Sequence, residues 1–303
     1  MGSQIIRVLR QCCRLITFCM PLFLVAMETR SASAIGGQSD YVGPDNGNWS
    51  LDTNWNPTGV PTGGSDVNFI DSVANDRTLV YDYTGAPLTL GVFTIDQTGS
   101  GPNINTLSMA DNALSVKTEY LGKMGRAVFK QTGGVHTIGT LAVGTSLQYG
   151  TSASAEGTYN MSNNAALVAQ KVTVGGYGGT GMFNQTGGLS TLQSLTLGAA
   201  MIGVGNIGPV GSGSFNLSTA ILKVSDSEYV GSEEPGIFNQ ISGDHTVGKF
   251  LFFGADSSGT FTLSDGTLTV SDPSVAGGGE FIGYYASVGV FNQTGGRNSR
   301  GQG

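Results

Sequence analysis

The sequence predicts an all-β protein, a parallel β-helix or β-solenoid whose coils of about 23 residues follow an irregular N-terminal cap. Three observations carry that expectation. The 303 residues include 49 Gly and only 12% charged side chains, too poor in helix formers for bundles or coiled coils. A short aromatic motif recurs at near-constant spacing through most of the chain. Around each copy apolar and polar residues alternate, the period of a strand with one buried face. Disorder is excluded by an apolar content of 39%, and collagen by the absence of a Gly-X-Y period.

Residues 1–34 read as a secretory signal, cleaved after Ala34. Arg7, Arg10 and Arg14 precede an apolar stretch from Leu15 to Met27, and Ala32-Ser33-Ala34 supplies the small-x-small cleavage site. That stretch is too short to span a bilayer, and no later segment is expected to cross one. Cys12, Cys13 and Cys19 all leave with the signal, so disulfides, zinc thiolates and cysteine nucleophiles are not expected in the mature chain. Basic residues then fall from 14 to 10 and acidic from 21 to 20, moving the net charge from −7 to −10. Such a surface repels phosphate backbones, so nucleic acid is not an expected partner. The expected location is secreted, extracellular or cell-surface.

Residues 35–106 are assigned as the N-terminal cap and first irregular β turns, because solenoids must cover their open core and blunt their exposed strand edge. Both tryptophans, Trp49 and Trp55, lie there, followed by Gly59-Val60-Pro61. Residues 107–296 carry the repeats. Val128-Phe129-Lys130-Gln131-Thr132-Gly133-Gly134 returns as Met182-Phe183-Asn184-Gln185-Thr186-Gly187-Gly188, and again around Phe238 and Phe291. A second variant sits between these copies at Tyr159, Phe215 and Phe261. Each unit closes on an apolar residue and Gly, from Leu121-Gly122 to Ile282-Gly283. Stacked about 4.8 Å apart, the units would align Phe129, Tyr159, Phe183, Phe215, Phe238, Phe261 and Phe291 as an interior column. Asn160, Asn184, Asn216, Asn239 and Asn292 would form an amide ladder beside it. Gln131, Gln185, Gln240 and Gln293 share the aromatic face and are expected to bond the Thr-Gly-Gly turn backbone. Residues 297–303 are expected to be a disordered or truncated end, since the repeat pattern calls for another strand there.

Together, Trp49-x5-Trp55-x3-Gly59-x-Pro61 and the Phe-Asn-Gln-Thr-Gly-Gly units that end in apolar-Gly resemble secreted bacterial proteins of the autotransporter-associated β-strand-repeat kind. The likeness covers about residues 41–296. It implies surface display, adhesion or a matrix role, with polysaccharide or other surface proteins as partners, and it brings no catalytic or cofactor-binding residues.

Candidate chemistry is sparse, and no catalytic, cofactor or metal residue is assigned. Parallel β-helices also house carbohydrate-active enzymes, which makes Glu119, Glu228 and Glu280 the residues to weigh. All three occupy one slot of the repeat, which reads as a solvated face or turn. His136 and His245 each follow their aromatic by seven residues and would lie about 19 Å apart, too far to share a metal. Gly203-Val204-Gly205-Asn206-Ile207-Gly208 matches a dinucleotide fingerprint but lacks its strand and helix. Trp49, Trp55 and Tyr41 are the glycan-contact candidates, with a core seal as the competing role. The leading expectation is a non-enzymatic structural or adhesive protein. The alternatives are a carbohydrate-active β-helix enzyme and a glycan-binding module at the tryptophan pair.

Overall fold

Alternation along one repeat shows how the chain closes a coil. The strand Arg126–Gln131 buries Ala127, Phe129 and Gln131 and turns Val128 and Lys130 outward. Gly134 then turns the chain at φ 70°. In the next strand, Val135–Thr145, His136 and Ile138 are buried, then Leu141 and Val143. That change of parity marks a corner, because a strict period of two cannot keep both pairs inside. Gly144, at φ 58°, makes the third corner, and Glu156–Met161 begins the next coil over the first. Each coil therefore has three sides, called below the aromatic, histidine and glutamate faces. Later coils divide the long strand into two, as in Ile221–Val224 with Glu228–Val230.

This is a computed structural model that describes residues 36–146, 155–199, 211–270, 279–284 and 287–300. The chain is a β-solenoid of about nine turns, 60% strand and without α-helix among the described residues. The signal assignment, the Gly203–Gly208 match and Gly301–Gly303 lie outside the described residues. So do residues 147–154, 200–210 and 271–278, where the longer intervals between aromatics fall.

Parallel pairing sets like residues over like. Leu79, Leu107, Phe129, Tyr159, Phe183, Phe215, Phe238, Phe261 and Phe291 are successive register partners. From Tyr159 to Phe261 neighbouring rings stack with centroids 4.6–5.0 Å apart and planes within 8°. All of those rings are fully buried. A phenylalanine buries roughly 150–250 Å² at about 25 cal/mol per Å², so this column supplies much of the cohesion between coils. Seven apolar-Gly corners share a left-handed glycine, with φ between 58° and 78° at Gly122, Gly144, Gly175, Gly198, Gly231, Gly254 and Gly283.

At the N-terminal end the parallel ladder reaches further than the repeat motif does. Asn46–Asn48 pairs with Arg77–Val80, which pairs with Asn105–Met109. Gln38–Tyr41 pairs with Asp66–Asp71, which pairs with Thr89–Gln97. The irregular part includes a 3-10 turn at Asp52–Asn54 and an antiparallel pairing of Tyr41 with Trp55. At the other end, Arg297–Arg300 is a strand paired in register with Thr267–Val270. The expectation of disorder is corrected for these four residues: the free edge of the preceding coil templates them.

Candidate functional site

On the aromatic face the polar ladders are formed by short, repeated contacts. Asn184 Nδ2 donates to Asn160 Oδ1 at 2.8 Å, Asn216 to Asn184 at 2.8 Å and Asn239 to Asn216 at 2.9 Å. The row stops there, because Thr262 separates Asn239 from Asn292 in register; Asn292 is corrected out of the ladder. Gln131 Nε2 donates to the carbonyls of Gly133, Gly134 and, one coil on, Ala166. Gln185 and Gln240 repeat the pattern with Gly188 and Ile221, and with Gly243 and Thr267. These amides tie each turn to the coil that follows it.

The glutamates are where the expectation from sequence fails. Glu119 and Glu228 are fully buried, not on a solvated face. Each lies on the glutamate face of one coil and meets a histidine from the next. His245 Nε2 lies 2.8 Å from Glu228 Oε2, aligned as a hydrogen bond. His136 Nε2 lies 3.1 Å from Glu119 Oε2, close enough for a charge pair but off the hydrogen-bond line. Glu280, partly buried, accepts from Asn298 Nδ2 at 3.2 Å in the same arrangement. The signal was present in the sequence: Glu119 to His136 and Glu228 to His245 are both offsets of 17 residues. Comparing histidine with histidine, four coils apart, hides it.

Around His136 the network extends further. Tyr159 Oη donates to Gln131 Oε1 at 2.7 Å, so its oxygen faces His136 Nδ1 at 2.9 Å as acceptor. Burial, then the Glu119 charge, pushes the Tyr159 hydroxyl well above its ordinary range. A carboxylate, an imidazole and a phenol in line resemble acid–base machinery, but every one of these side chains has 0% exposure. A base must come within hydrogen-bond reach of the proton it removes, and these side chains open onto no surface in the structure. Among the described residues no three His, Cys, Asp or Glu side chains gather to hold a metal.

The tryptophan platform is also corrected. Trp49, Trp55 and Tyr41 are 0%, 1% and 4% exposed, whereas a sugar needs an open ring face. Trp49 packs edge-on against Trp55, Tyr81 and Phe93, and Trp55 Nε1 donates to the Trp49 carbonyl at 2.8 Å. The Arg77 guanidinium sits over the Tyr41 and Phe69 rings and bonds Asp71 at 2.7 Å. The rings seal the first coils, the competing role named above. Beside them an open cavity of about 330 Å³ is lined by Pro44, Asn46, Asn48, Ser50, Leu51 and Asn54, with no aromatic ring among them.

One surface feature was missed. On the outer side of the glutamate face, Tyr229, Phe252 and Phe281 are successive register partners. Their rings stack at 4.9 and 5.0 Å, flanked by Phe250 and Tyr284. All five are at least partly exposed. The same column holds Thr94, Tyr120, Ala142, Thr173 and Thr196 in earlier coils, so the aromatic strip is confined to later ones. The alternation in Phe250-Leu251-Phe252-Phe253 could have revealed it, since only Leu251 and Phe253 are wholly inside. No family model, curated protein or solved structure matches this chain.

Proposed function

We propose that this chain is a secreted or cell-surface structural protein, adhesive through its outer faces and without catalytic activity, of the autotransporter-associated β-strand-repeat kind. The observation supporting this reading is that both Glu–His pairs, Glu119 with His136 and Glu228 with His245, are sealed inside the coil stack. A glycosidase needs two carboxylates about 5–10 Å apart that both reach substrate. Glu119 and Glu228 stand four coils apart in register, and each faces a histidine. The outward rings of Tyr229, Phe252 and Phe281 give the adhesive part of the proposal its surface. A contiguous exposed aromatic patch of this kind marks contact with a partner. Because the rings stack on one another they present edges, which suits apolar contact better than stacking on a sugar.

Two measurements test the proposal. Mature chain incubated with a panel of polysaccharides is expected to release no product; turnover abolished by Glu280→Gln would overturn it. Bacteria or beads displaying the chain are expected to lose most of their attachment to protein-coated surfaces when Phe252 and Phe281 both become Ser. Unchanged attachment would remove the strip from the adhesive role.

A further inference from the structure

The buried carboxylates pose a question that packing alone does not answer. Glu228 lies between Leu195 and Leu251 in its column, and His245 between Leu222 and Leu268 in the adjoining one. Glu119 and His136 are likewise bracketed by Phe93 and Leu141 and by Leu114 and Leu167. Leucine at all these slots would pack well, and replacing a buried ion pair by apolar residues is often neutral or stabilising. What an all-leucine column lacks is identity. The coils are near copies, so while the chain folds, a coil can stack on the next but one with its like residues still in register. The excluded coil becomes a loop whose closure entropy grows only slowly with length.

We propose that the Glu–His and Glu–Asn pairs are register keys that make the native order of coils the one order in which each of these three glutamates meets its His or Asn partner. Each key joins consecutive coils, with Glu on one and His or Asn on the next. Leaving out the coil Ile221–Gln240 would remove Glu228 and stack His245 on Ser190, with Leu195 in the slot where the carboxylate should be. Leaving out the coil that carries His245 would strand Glu228 in the same way. A polar group at one position that fixes register at some expense of stability is the best-attested use of such residues.

Disulfide trapping tests this on the outer histidine face, where Thr191, Lys223, Thr246 and Thr269 are successive partners. Parallel neighbours about 4.8 Å apart are within reach of a disulfide. In the full chain with Cys12, Cys13 and Cys19 changed to Ser, the pair K223C/T246C closes in native order. T191C/T246C closes only if the coil of Glu228 is left out, and K223C/T269C only if the coil of His245 is. After oxidative refolding, native keys are expected to give the first disulfide alone. H245L leaves a bare carboxylate that exclusion of its coil relieves, so T191C/T246C should rise several-fold. E228L should instead raise K223C/T269C. H245N copies the Glu280–Asn298 pair and should leave both reporters silent. Leucine already fills these slots in adjacent coils, so both leucine variants are expected to fold. Reporters that stay silent in H245L and E228L, or that rise equally in both, would overturn the proposal, since general destabilisation has no such direction.

Discussion

Tyr159 and Phe261 fill the same inward slot, one coil beyond a buried Gln and His, yet only Tyr159 carries a hydroxyl. That oxygen serves both Gln131 Oε1 and His136 Nδ1. At the second copy Gln240 Oε1 and His245 Nδ1 are buried without a partner, because Phe261 has nothing to offer them. A buried polar atom left unsatisfied costs about 1–3 kcal/mol. Phe261→Tyr is therefore expected to stabilise the protein by about 1 kcal/mol, and Tyr159→Phe to destabilise it by about 1–3 kcal/mol. Urea midpoints at constant slope check both. A loss of stability in Phe261→Tyr would mean that the slot lacks room for the oxygen. The repeat made this slot readable from sequence, since Tyr159 is the single departure from Phe in the column from Phe129 to Phe291. The reason for the departure was not readable, because it lies in a contact between coils.

At the scale of the coil, the recurring apolar-Gly pair is a conformational requirement. Gly175 has φ 66°, and a Cβ built on it would lie 1.9 Å from the Ser212 carbonyl oxygen of the coil above. Gly175→Ala must both hold a left-handed backbone, costing about 1–2 kcal/mol, and push two strands apart. In a solenoid each repeat touches only its neighbours, so the damage should stay local. Hydrogen exchange is expected to lose protection at Ala166–Gly176 and Ser212–Leu217 while Asp66–Asp71 remains protected. Uniform loss would show that the stack unfolds as one unit. The Gly corners, the aromatic column and the turn-bonding glutamines were legible because each is local to one repeat. The first coils were less so: Leu79 and Leu107 continue the column of Phe129 without any motif to announce it. The Glu–His pairs were missed because period-two alternation says which residues point inward on one strand, not which inward residues of two faces meet.

Over the whole molecule, acidic groups at distant corners are held at raised pKa by burial. Asp96 accepts from the Met124 and Gly125 amides at 2.8 and 2.7 Å, and Glu234 accepts from Gly178 at 2.8 Å. Those bonds pull the carboxyls down, but burial outweighs them and both are raised. A carboxyl raised in the folded state binds its proton more tightly there than in the unfolded chain, so stability falls as pH rises. The fall begins at the ordinary carboxylate range of about 4 and ends above the raised folded value. The acidic balance, −7 for the whole chain, adds repulsion of the same sign, so the slope of the parent alone does not isolate these groups. Asp96→Asn and Glu234→Gln should. Each leaves an amide N–H facing a donor, which lowers stability at every pH. Each also removes one titration, which should flatten the slope by up to about 1.4 kcal/mol per pH unit where that group titrates. The two sites lie on coils several turns apart, so the flattening is expected to add in the double variant. Unfolding followed from pH 4 to 8 for the parent and the three variants measures it, and a slope that neither substitution changes would assign the pH dependence to net charge instead.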